Sequence, residues 1–226
     1  MKIFVFTGAG ISAESGLQTF RASDGLWEEH KIQDVATVAG WNRNKQLVLD
    51  FYNARRKAVK EAEPNAAHLA LAELEKYHDV TVVTQNIDDL HERAGSTKVI
   101  HLHGNIFTVK SEHDDGAVYD WFDDLKIGDV DDKGTQLRPN IVWFGESVPN
   151  YSLAYLEARK SDILIVIGTS AKVYPAADLI TVGAKDKFYI DLDIPYEFEE
   201  RGFFCFREKA SEGVPKVLEI LKNYNG

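Results

Sequence analysis

Three short polar segments each follow an apolar, β-branched run of the chain. The first is a glycine-rich turn at residues 7–16, Thr-Gly-Ala-Gly-Ile-Ser-Ala-Glu-Ser-Gly, and the second is Thr-Gln-Asn-Ile-Asp at residues 84–88. The third contains His103, within Val-Ile-His-Leu-His-Gly at residues 99–104. In an open parallel sheet such positions meet in one crevice outside the strand ends, where ligands bind. A phosphate cradle, amide and carboxylate groups and a titratable base would then share one pocket, which indicates an active site.

The elements that must position these segments alternate between strand and helix. The apolar runs are continuous, as expected for parallel strands that are covered on both faces. Predicted strands occupy residues 2–7, 80–84, 98–101, 140–144, 162–168 and 187–192. Predicted helices occupy residues 45–60, 65–77 (with Asn65 as a cap) and 213–223. This alternation predicts an α/β fold with a doubly wound parallel sheet, from which the acid-rich segment 111–136 departs as a small excursion.

Composition excludes several classes of function. The chain has 226 residues, of which 44% are hydrophobic, so it can bury one substantial core and a small satellite lobe. Its net charge of −10, without a basic stripe, argues against a nucleic-acid partner. No apolar run approaches the roughly 20 residues that cross a bilayer, so we expect neither a membrane partner nor a signal peptide. Cys205 is the single cysteine, which excludes an internal disulfide and fits a reducing cytoplasm.

Each polar segment also has an ordinary structural explanation when it is taken alone. Gly8-Ala9-Gly10 matches the start of a dinucleotide turn, with a helix N-terminus at Ser12 to stabilise a pyrophosphate. Its third glycine comes late, however, and no strand carries an acidic residue about 20 positions further on. A simple tight turn therefore stands as an equal alternative. The mixed glycine, polar and aromatic stretch at 17–27 favours a loop that folds over a cofactor.

The later segments have similar alternatives. The Gln85–Asp88 run offers amide and carboxylate groups for ribose or carboxamide, but Asn and Asp also commonly cap helices, here one at 87–93. Gly168-Thr-Ser170 could present backbone N–H groups and hydroxyls to a phosphate. Taken alone, it is only a turn. His103 taken alone is better explained as a hydrogen-bonded structural histidine than as a base. His101, two residues away on the opposite side of an extended chain, is the one expected to be structural.

Together these segments resemble the sirtuin family of NAD-dependent protein lysine deacylases. The matching motifs occur in the family's order and cover nearly the whole chain except residues 111–136. They are Gly-Ala-Gly-Ile-Ser-Ala-Glu-Ser-Gly (8–16), Thr-Phe-Arg (19–21), Thr-Gln-Asn-Ile-Asp (84–88), His-Gly (103–104), Trp-Phe-Gly-Glu (143–146), Gly-Thr-Ser (168–170) and Val-Tyr-Pro-Ala (173–176). The resemblance implies one catalytic domain over 1–226. Its Rossmann-like core would span about 1–30, 78–104 and 137–226, and its smaller lobe about 31–77 and 105–136.

The resemblance implies NAD as the cofactor and assigns residues to it. Phosphates and riboses would be held by Gly8, Ala9, Gly10, Gln85, Gly168, Thr169 and Ser170. Phe20 and Arg21 would cover the reacting ribose and the phosphates. Further positions assigned to NAD are Ile11, Thr19, Trp27, Ile87, Asp191, Leu192, Asp193 and Ala210, the last where the family's backbone meets adenine.

The resemblance also implies the reaction. Asn86 and Asp88 would bind the nicotinamide side, with Asp88 on the carboxamide, and His103 would be the general base. Nicotinamide leaves, the acyl oxygen attacks the ribose C1′, and His103 activates a ribose hydroxyl that captures the acyl carbon. The products would be deacylated lysine, nicotinamide and O-acyl-ADP-ribose. A neutral imidazole near pH 7 suits this step.

Substrate residues follow from the same resemblance. The backbone of Val142 and of Phe144-Gly145-Glu146 would clamp an extended peptide by strand addition. Tyr52 and Arg55 lie at i and i+3, on one face of a helix. In desuccinylase-type sirtuins a Tyr-x-x-Arg pair binds an acidic acyl group, beside a small residue that Ala36 resembles. The alternative is an amphipathic helix with an exposed arginine.

Two departures from the family pattern are informative. Most sirtuins hold a zinc module with two Cys-x-x-Cys pairs before the Trp-Phe-Gly-Glu strand, but here that segment has no cysteine. A structural zinc site needs four ligands, and His113, Asp114 and Asp115 are too sparse to supply them, so we expect no metal. Asp191 stands where the family usually has Asn. It can accept hydrogen bonds from ribose hydroxyls but cannot donate them.

We therefore expect a zinc-free, desuccinylase-type sirtuin that removes acetyl, succinyl and malonyl groups from protein lysines and works as a monomer. Two alternatives stay open. The same pocket could split NAD with water or another nucleophile, as an NAD glycohydrolase or ADP-ribosyltransferase. It could also belong to a non-catalytic NAD sensor.

Overall fold

The structure is a computed structural model that describes residues 1–18, 26–27, 30–113 and 116–224. The strands are β1 (Lys2–Thr7), β2 (Leu26–Trp27), β3 (His30–Lys31), β4 (Asp79–Thr84), β5 (Val99–His101), β6 (Gly104–Ser111), β7 (Val118–Asp120), β8 (Leu137–Ile141), β9 (Ile163–Ile167), β10 (Asp186–Ile190) and β11 (Phe203–Phe206). The helices are α1 (Ile32–Val35), α2 (Val38–Arg43), α3 (Lys45–Glu61), α4 (Ala66–Leu74), α5 (Leu90–Arg93), α6 (Tyr151–Arg159), α7 (Glu197–Glu200) and α8 (Ala210–Lys222). Short 3₁₀ turns occupy Ala9–Ile11, Ala13–Ser15 and Ala176–Thr181.

The larger sheet is parallel and covered on both faces. Within the described residues its six strands run in the order β11-β10-β9-β1-β4-β5. Successive side chains of a strand point to opposite faces, so Ile3 and Val5 of β1 pack beneath α4 and α8, while Phe4 and Phe6 pack on the face of α6. The predicted doubly wound α/β fold is confirmed. The strand order reverses between β1 and β9, which defines the topological switch point.

A second, antiparallel sheet forms the core of the smaller lobe. Its strands run in the order β7-β6-β8, and α3 packs against it. The predicted parallel strand at 140–144 is wrong, because the strand ends at Ile141 and pairs antiparallel with β6. A continuous apolar run indicates a strand that is buried on both faces, but it does not indicate whether that strand pairs parallel or antiparallel with its neighbour.

Helix α4 packs with the larger sheet rather than with the smaller lobe. Ala67, Ala70 and Leu71 lie in one apolar cluster with α8 and β1. The predicted smaller lobe, which included residues of about 31–77, therefore contains a helix that packs with the larger sheet. Asn65 caps this helix as predicted, since its Oδ1 accepts a hydrogen bond from the Ala67 N–H at 2.9 Å.

The acid-rich excursion is organised mainly by polar turns. Asp131 Oδ1 accepts hydrogen bonds from the N–H groups of Lys133 and Thr135. The Gln136 amide donates to the carbonyls of Lys126 and Asp129. The Asp131 contacts are the local side-chain turns that Asp and Asn favour, and the Gln136 contacts join the two ends of the turn region.

Few of the excursion's apolar residues enter the core. Leu125 is fully buried and Trp121 is partly buried, whereas Val118, Phe122 and Ile127 are exposed, although Phe122 stacks on Phe107. Polar turns rather than apolar packing therefore hold most of the segment. In the described part of the chain no three His, Cys, Asp or Glu side chains are grouped as a metal site. Asp114 and Asp115 lie outside the described residues.

None of the helices that the structure describes is both long and apolar enough to span a bilayer.

Gly104 connects the His103 segment to β6 and tolerates no side chain. Its φ is +86°, and a Cβ there would lie 1.9 Å from the Asn140 carbonyl oxygen. We expect Gly104→Ala to lower the free energy of unfolding by at least about 2 kcal/mol, measured by urea denaturation. The control is Gly128→Ala, where φ is +96° but the space around a Cβ is open. Equal losses for the two variants would show that the close approach to Asn140 has no energetic effect.

Candidate active site

A cavity of about 720 Å³ opens at the switch point, outside the carboxyl ends of the larger sheet's strands. Open α/β sheets bind ligands at this position, and the volume lies in the usual range for such sites. The predicted site residues that line it are Gly8, Ala9, Gly10, Trp27, Ala36, Tyr52, Arg55, Gln85, Asn86, Ile87, Asp88, His103, Val142, Phe144, Gly145, Glu146, Gly168, Thr169, Ser170, Asp191, Leu192, Asp193 and Ala210.

The remaining predicted residues fall into two groups. Ile11 does not line the cavity, because its side chain is fully buried in the apolar layer beneath α4 and α8. Thr19, Phe20 and Arg21 lie outside the described residues.

The glycine turn after β1 packs directly against the turn after β9. Gly10 N–H donates to the Gly168 carbonyl at 2.8 Å, and a Cβ on Gly10 would lie 2.6 Å from the Gly168 Cα. The glycines are therefore required by the contact between the two turns. The predicted helix N-terminus at Ser12 is wrong, because the chain forms two short 3₁₀ turns there and Gly16, with φ +88°, ends the second.

Ser12 instead joins the Asn86 and Asp88 side chains. Asn86 Nδ2 donates to Ser12 Oγ at 3.0 Å, and Ser12 Oγ donates to Asp88 Oδ2 at 3.0 Å. Asn86 Nδ2 also donates to the Gly8 carbonyl, and Asp88 Oδ1 accepts from the Leu90 N–H. Both side chains are at least nine-tenths buried, and burial raises the pKa of Asp88. Asp88 thus hydrogen-bonds to the first residue of the helix at 90–93, whose cap position is Asp89, and it also lines the cavity.

His103 presents one ring nitrogen to the cavity. Its Nδ1 lies 2.9 Å from the Gln85 carbonyl oxygen. A carbonyl oxygen can only accept, so Nδ1 carries the proton and Nε2 of the neutral ring is the basic nitrogen. Burial lowers the pKa of His103, although the hydrogen bond to Gln85 opposes this shift. The neutral, proton-accepting form is therefore the stable one near pH 7.

His101 has both ring nitrogens engaged. One lies 3.0 Å from the Asn86 carbonyl oxygen and the other 2.7 Å from a Glu92 carboxylate oxygen. Burial disfavours the charged ring, but Glu92 outweighs it and raises the pKa of His101. His101 therefore holds the Asn86 backbone in place, in agreement with the structural role expected from its position.

The ends of β4, β9 and β10 bring further polar groups to the cavity. Gln85 Nε2 donates to Thr169 Oγ1 at 2.9 Å, which joins the ends of β4 and β9. Asp191 and Asp193 line the cavity after β10, and burial raises the pKa of Asp191. Ala210 begins α8 at the same end.

Tyr52 and Arg55 lie side by side on α3, where the smaller lobe meets the cavity. Tyr52 is 0% exposed and Arg55 is 6% exposed, yet both line the cavity together with Ala36. The Arg55 guanidinium carbon lies 4.5 Å from the Trp27 ring centroid, a cation–π contact. The pair is therefore a buried cation beside a phenol, unlike the exposed arginine of the alternative interpretation.

The segment 142–146 forms the opposite wall. The N–H groups of Val142, Phe144 and Glu146 donate to carbonyls of His103, Ala36 and Trp143 respectively. The Glu146 carboxylate turns inward, where it accepts two hydrogen bonds from Arg138 and one from the Trp143 N–H. A peptide at this wall would thus meet the remaining backbone groups and not the Glu146 side chain.

No side-chain role was assigned to Ser12 or Trp143 from the sequence. Ser12 bridges Asn86 and Asp88, and Trp143 donates its indole N–H to the Tyr52 hydroxyl at 3.0 Å. Its position in the glycine-rich motif could have indicated this role for Ser12, because the hydroxyl comes directly after the glycine turn. Nothing in the sequence connects Trp143 with Tyr52, which lies 91 residues away.

The sheet order and the glycine turns at its switch point are typical of nucleotide-binding α/β proteins. Comparison with known proteins specifies the family. The Sir2 family model matches residues 8–175. The chain belongs to the Sir2 family, the sirtuins, as its motifs indicated.

Curated relatives match over nearly the whole chain. An NAD-dependent protein deacylase of Helicobacter pylori is 49% identical over 224 residues, with 96% of this chain and 98% of the relative covered. An NAD-dependent protein deacylase of Escherichia coli is 50% identical, with 98% and 84% covered.

Solved structures agree. A Sir2 homologue in complex with NAD superposes with a TM-score of 0.87 at 36% identity, covering 98% of this chain and 89% of the other. A Sir2 protein bound to an acetylated peptide superposes with a TM-score of 0.80 at 30% identity, covering 96% and 92%.

Proposed function

We propose that this protein removes acidic acyl groups, succinyl and malonyl, as well as acetyl groups from lysine side chains of proteins. The class of activity rests on family membership: the protein is an NAD-dependent protein deacylase. The finer specificity rests on one observation, the buried Tyr52–Arg55 pair that opens into the same cavity as His103. An arginine fork with a phenol hydroxyl can bind a carboxylate through several hydrogen bonds.

The residues of the cavity fit NAD. Backbone and hydroxyl groups of the 8–10 and 168–170 turns suit its phosphates, and the carboxylates of Asp191 and Asp193 suit ribose hydroxyls. Asn86 and Asp88 are buried beside His103 and suit a carboxamide. Gly8 and Gly10 pack so closely against residues 168–169 that neither position has room for a side chain. We propose that these residues hold NAD in this order along the cavity.

Bound NAD would supply the ribose carbon and hydroxyl that accept the acyl group. His103 Nε2 would take the proton from that hydroxyl, since its other nitrogen is held by the Gln85 carbonyl. Ser12 holds the Asn86 and Asp88 side chains in one arrangement before substrate binds. The wall at 142–146 would bind the backbone of an extended substrate. The proposed products are deacylated lysine, nicotinamide and O-acyl-ADP-ribose.

A peptide panel tests this proposal. Identical peptides bearing acetyl-, malonyl- or succinyl-lysine would be incubated with NAD, and the products identified by mass spectrometry. We expect deacylated peptide, nicotinamide and the matching O-acyl-ADP-ribose in all three reactions. Conversion of the acetyl peptide alone would contradict the acidic-acyl specificity. ADP-ribose formed equally fast without peptide would favour NAD hydrolysis instead.

The acid limb of the pH–rate profile is expected below pH 6.5, the ordinary pKa of histidine. Burial lowers the pKa of His103, so protonation removes the base only as the pH falls through that lowered value. The measurement is kcat/KM for the acetyl peptide between about pH 5 and 9, because this constant reports groups of the free enzyme. Circular dichroism at each pH is the control for unfolding. An acid limb above pH 6.5 would be inconsistent with a buried His103 base.

We further propose that the whole chain acts as one catalytic unit, since both lobes line the cavity. We propose that it acts as a monomer on proteins in the cytoplasm, without nucleic-acid or membrane partners and without a structural metal. The net charge of −10 argues against a nucleic-acid partner, and the single cysteine fits a reducing compartment.

A further inference from the structure

The Tyr52 hydroxyl makes a hydrogen bond of fixed direction. Its described partner is Trp143 Nε1, at 3.0 Å. An indole N–H can only donate, so the phenol oxygen accepts this bond and its own O–H must point elsewhere. Burial raises the pKa of Tyr52, so the phenol keeps its proton. Tyr52 thus has one O–H donor to offer, and the cavity lies beside it.

Trp143 is held by the ion pair between buried Arg138 and partly buried Glu146. The Arg138 guanidinium carbon lies 3.4 Å from the Trp143 ring centroid, and Arg138 is 4% exposed. The Arg138 Nη1 and Nη2 groups donate to the two Glu146 oxygens at 2.7 and 3.0 Å. Glu146 also accepts from the Trp143 N–H at 2.8 Å. The indole is therefore fixed at its face and at its backbone, which leaves it one orientation toward Tyr52.

The two acyl-binding groups are thus each positioned by a tryptophan. Trp27 lies under the Arg55 guanidinium, and its ring meets Tyr52 edge-on at 6.2 Å between centroids. Trp143 contacts Tyr52 through its indole N–H. The contact of Trp27 with Arg55 uses the ring face, whereas the contact of Trp143 with Tyr52 uses a single polar atom. A conservative substitution can remove that atom and leave the ring.

We propose that Trp143 is a positioning residue that sets acyl specificity, because its indole N–H occupies the acceptor side of the Tyr52 hydroxyl and directs the phenol proton toward the carboxylate of an acidic acyl group. An acetyl group has no carboxylate at that point, so its removal does not use the oriented proton. This inference rests on the proposed function and adds a residue that does not touch the acyl carboxylate itself. Without the indole N–H the hydroxyl is free to rotate, and part of the hydrogen bond to the carboxylate is lost.

The test compares the ratio of kcat/KM for succinyl- and acetyl-lysine peptides in four proteins: wild type, Trp143→Phe, Tyr52→Phe and the double variant. We expect Trp143→Phe to lower this ratio about tenfold, because the variant loses part of a hydrogen bond to a charged group. We expect it to cause little further loss in the Tyr52→Phe background, because residues that act through one contact are not additive. Genetic incorporation of benzothienylalanine at position 143 removes the N–H while keeping the bicyclic shape, and should give the same fall if Trp143→Phe does not fold.

The outcomes are distinct. A ratio that is unchanged in folded variants overturns the role of Trp143, as does an equal loss of both activities, which indicates only a packing role. A fall that is just as large in the Tyr52→Phe background also overturns it, because the effect would then not pass through Tyr52. A wild-type protein without activity on the succinyl peptide overturns this inference and the proposed specificity together. Wild-type activity on that peptide with any of the first three results overturns this inference alone.

Discussion

His103→Ala is expected to lower kcat/KM for every acyl peptide by about 10²–10⁴, the usual contribution of a positioned general base. The ring lines the cavity, and its Nδ1 is committed to the Gln85 carbonyl, so Nε2 is the nitrogen available to accept a proton. Alanine removes this group without placing a new charge in the cavity. The measurement is steady-state turnover with the acetyl peptide, together with NAD binding measured by calorimetry.

The matched control is His113→Ala, whose side chain is 80% exposed. We expect this variant to keep wild-type turnover and the His103 variant to keep NAD binding. If His103→Ala turns over at the wild-type rate, the proposed base is wrong and so is the reading of the cavity as a deacylase site.

Arg55→Met is expected to lower kcat/KM for the succinyl peptide by about 100-fold or more, because charge-assisted hydrogen bonds contribute about 1.5–3 kcal/mol each. Methionine keeps much of the length and apolar surface that lie against Trp27. Deacetylation should change by no more than about threefold, since a neutral acyl group offers the guanidinium no charge partner. The measurement is the pair of specificity constants on otherwise identical peptides.

Arg55→Lys is the matched variant for this prediction. It keeps the charge but loses the planar fork, so it should fall between wild type and Arg55→Met on the succinyl peptide. Equal loss of both activities in Arg55→Met would indicate that Arg55 supports the cavity wall and does not select the acyl group.

Some features of the fold were predictable from the sequence. Residues 2–7 formed a continuous apolar run, and the structure has β1 over the same residues. The helix predicted at 45–60 extends over Lys45–Glu61. Such long, strongly patterned segments are read correctly because burial and local geometry agree.

Other features depended on contacts that no local pattern encodes. The run at 140–144 looked like a parallel strand, yet 137–141 pairs antiparallel with β6. The turn at Ser12 looked like a helix start, but the chain forms short 3₁₀ turns there, where Gly10 packs against Gly168. In both cases the partner segment lies more than 25 residues away, and sequence periodicity reports a residue's burial rather than its partner.

The sequence by itself determined the chemical groups of this protein: the glycine turns, the amide and carboxylate pair, the histidine and the Tyr-x-x-Arg pair. These groups could be recognised in the sequence because residue spacing at the end of a strand, or within one helix turn, determines which side chains are neighbours. Tertiary structure alone decided the state of each group. The tautomer of His103 depends on the Gln85 carbonyl, and the direction of the Tyr52 proton depends on Trp143. Those partners come from different strands and lobes, and only packing in three dimensions brings them within hydrogen-bonding distance.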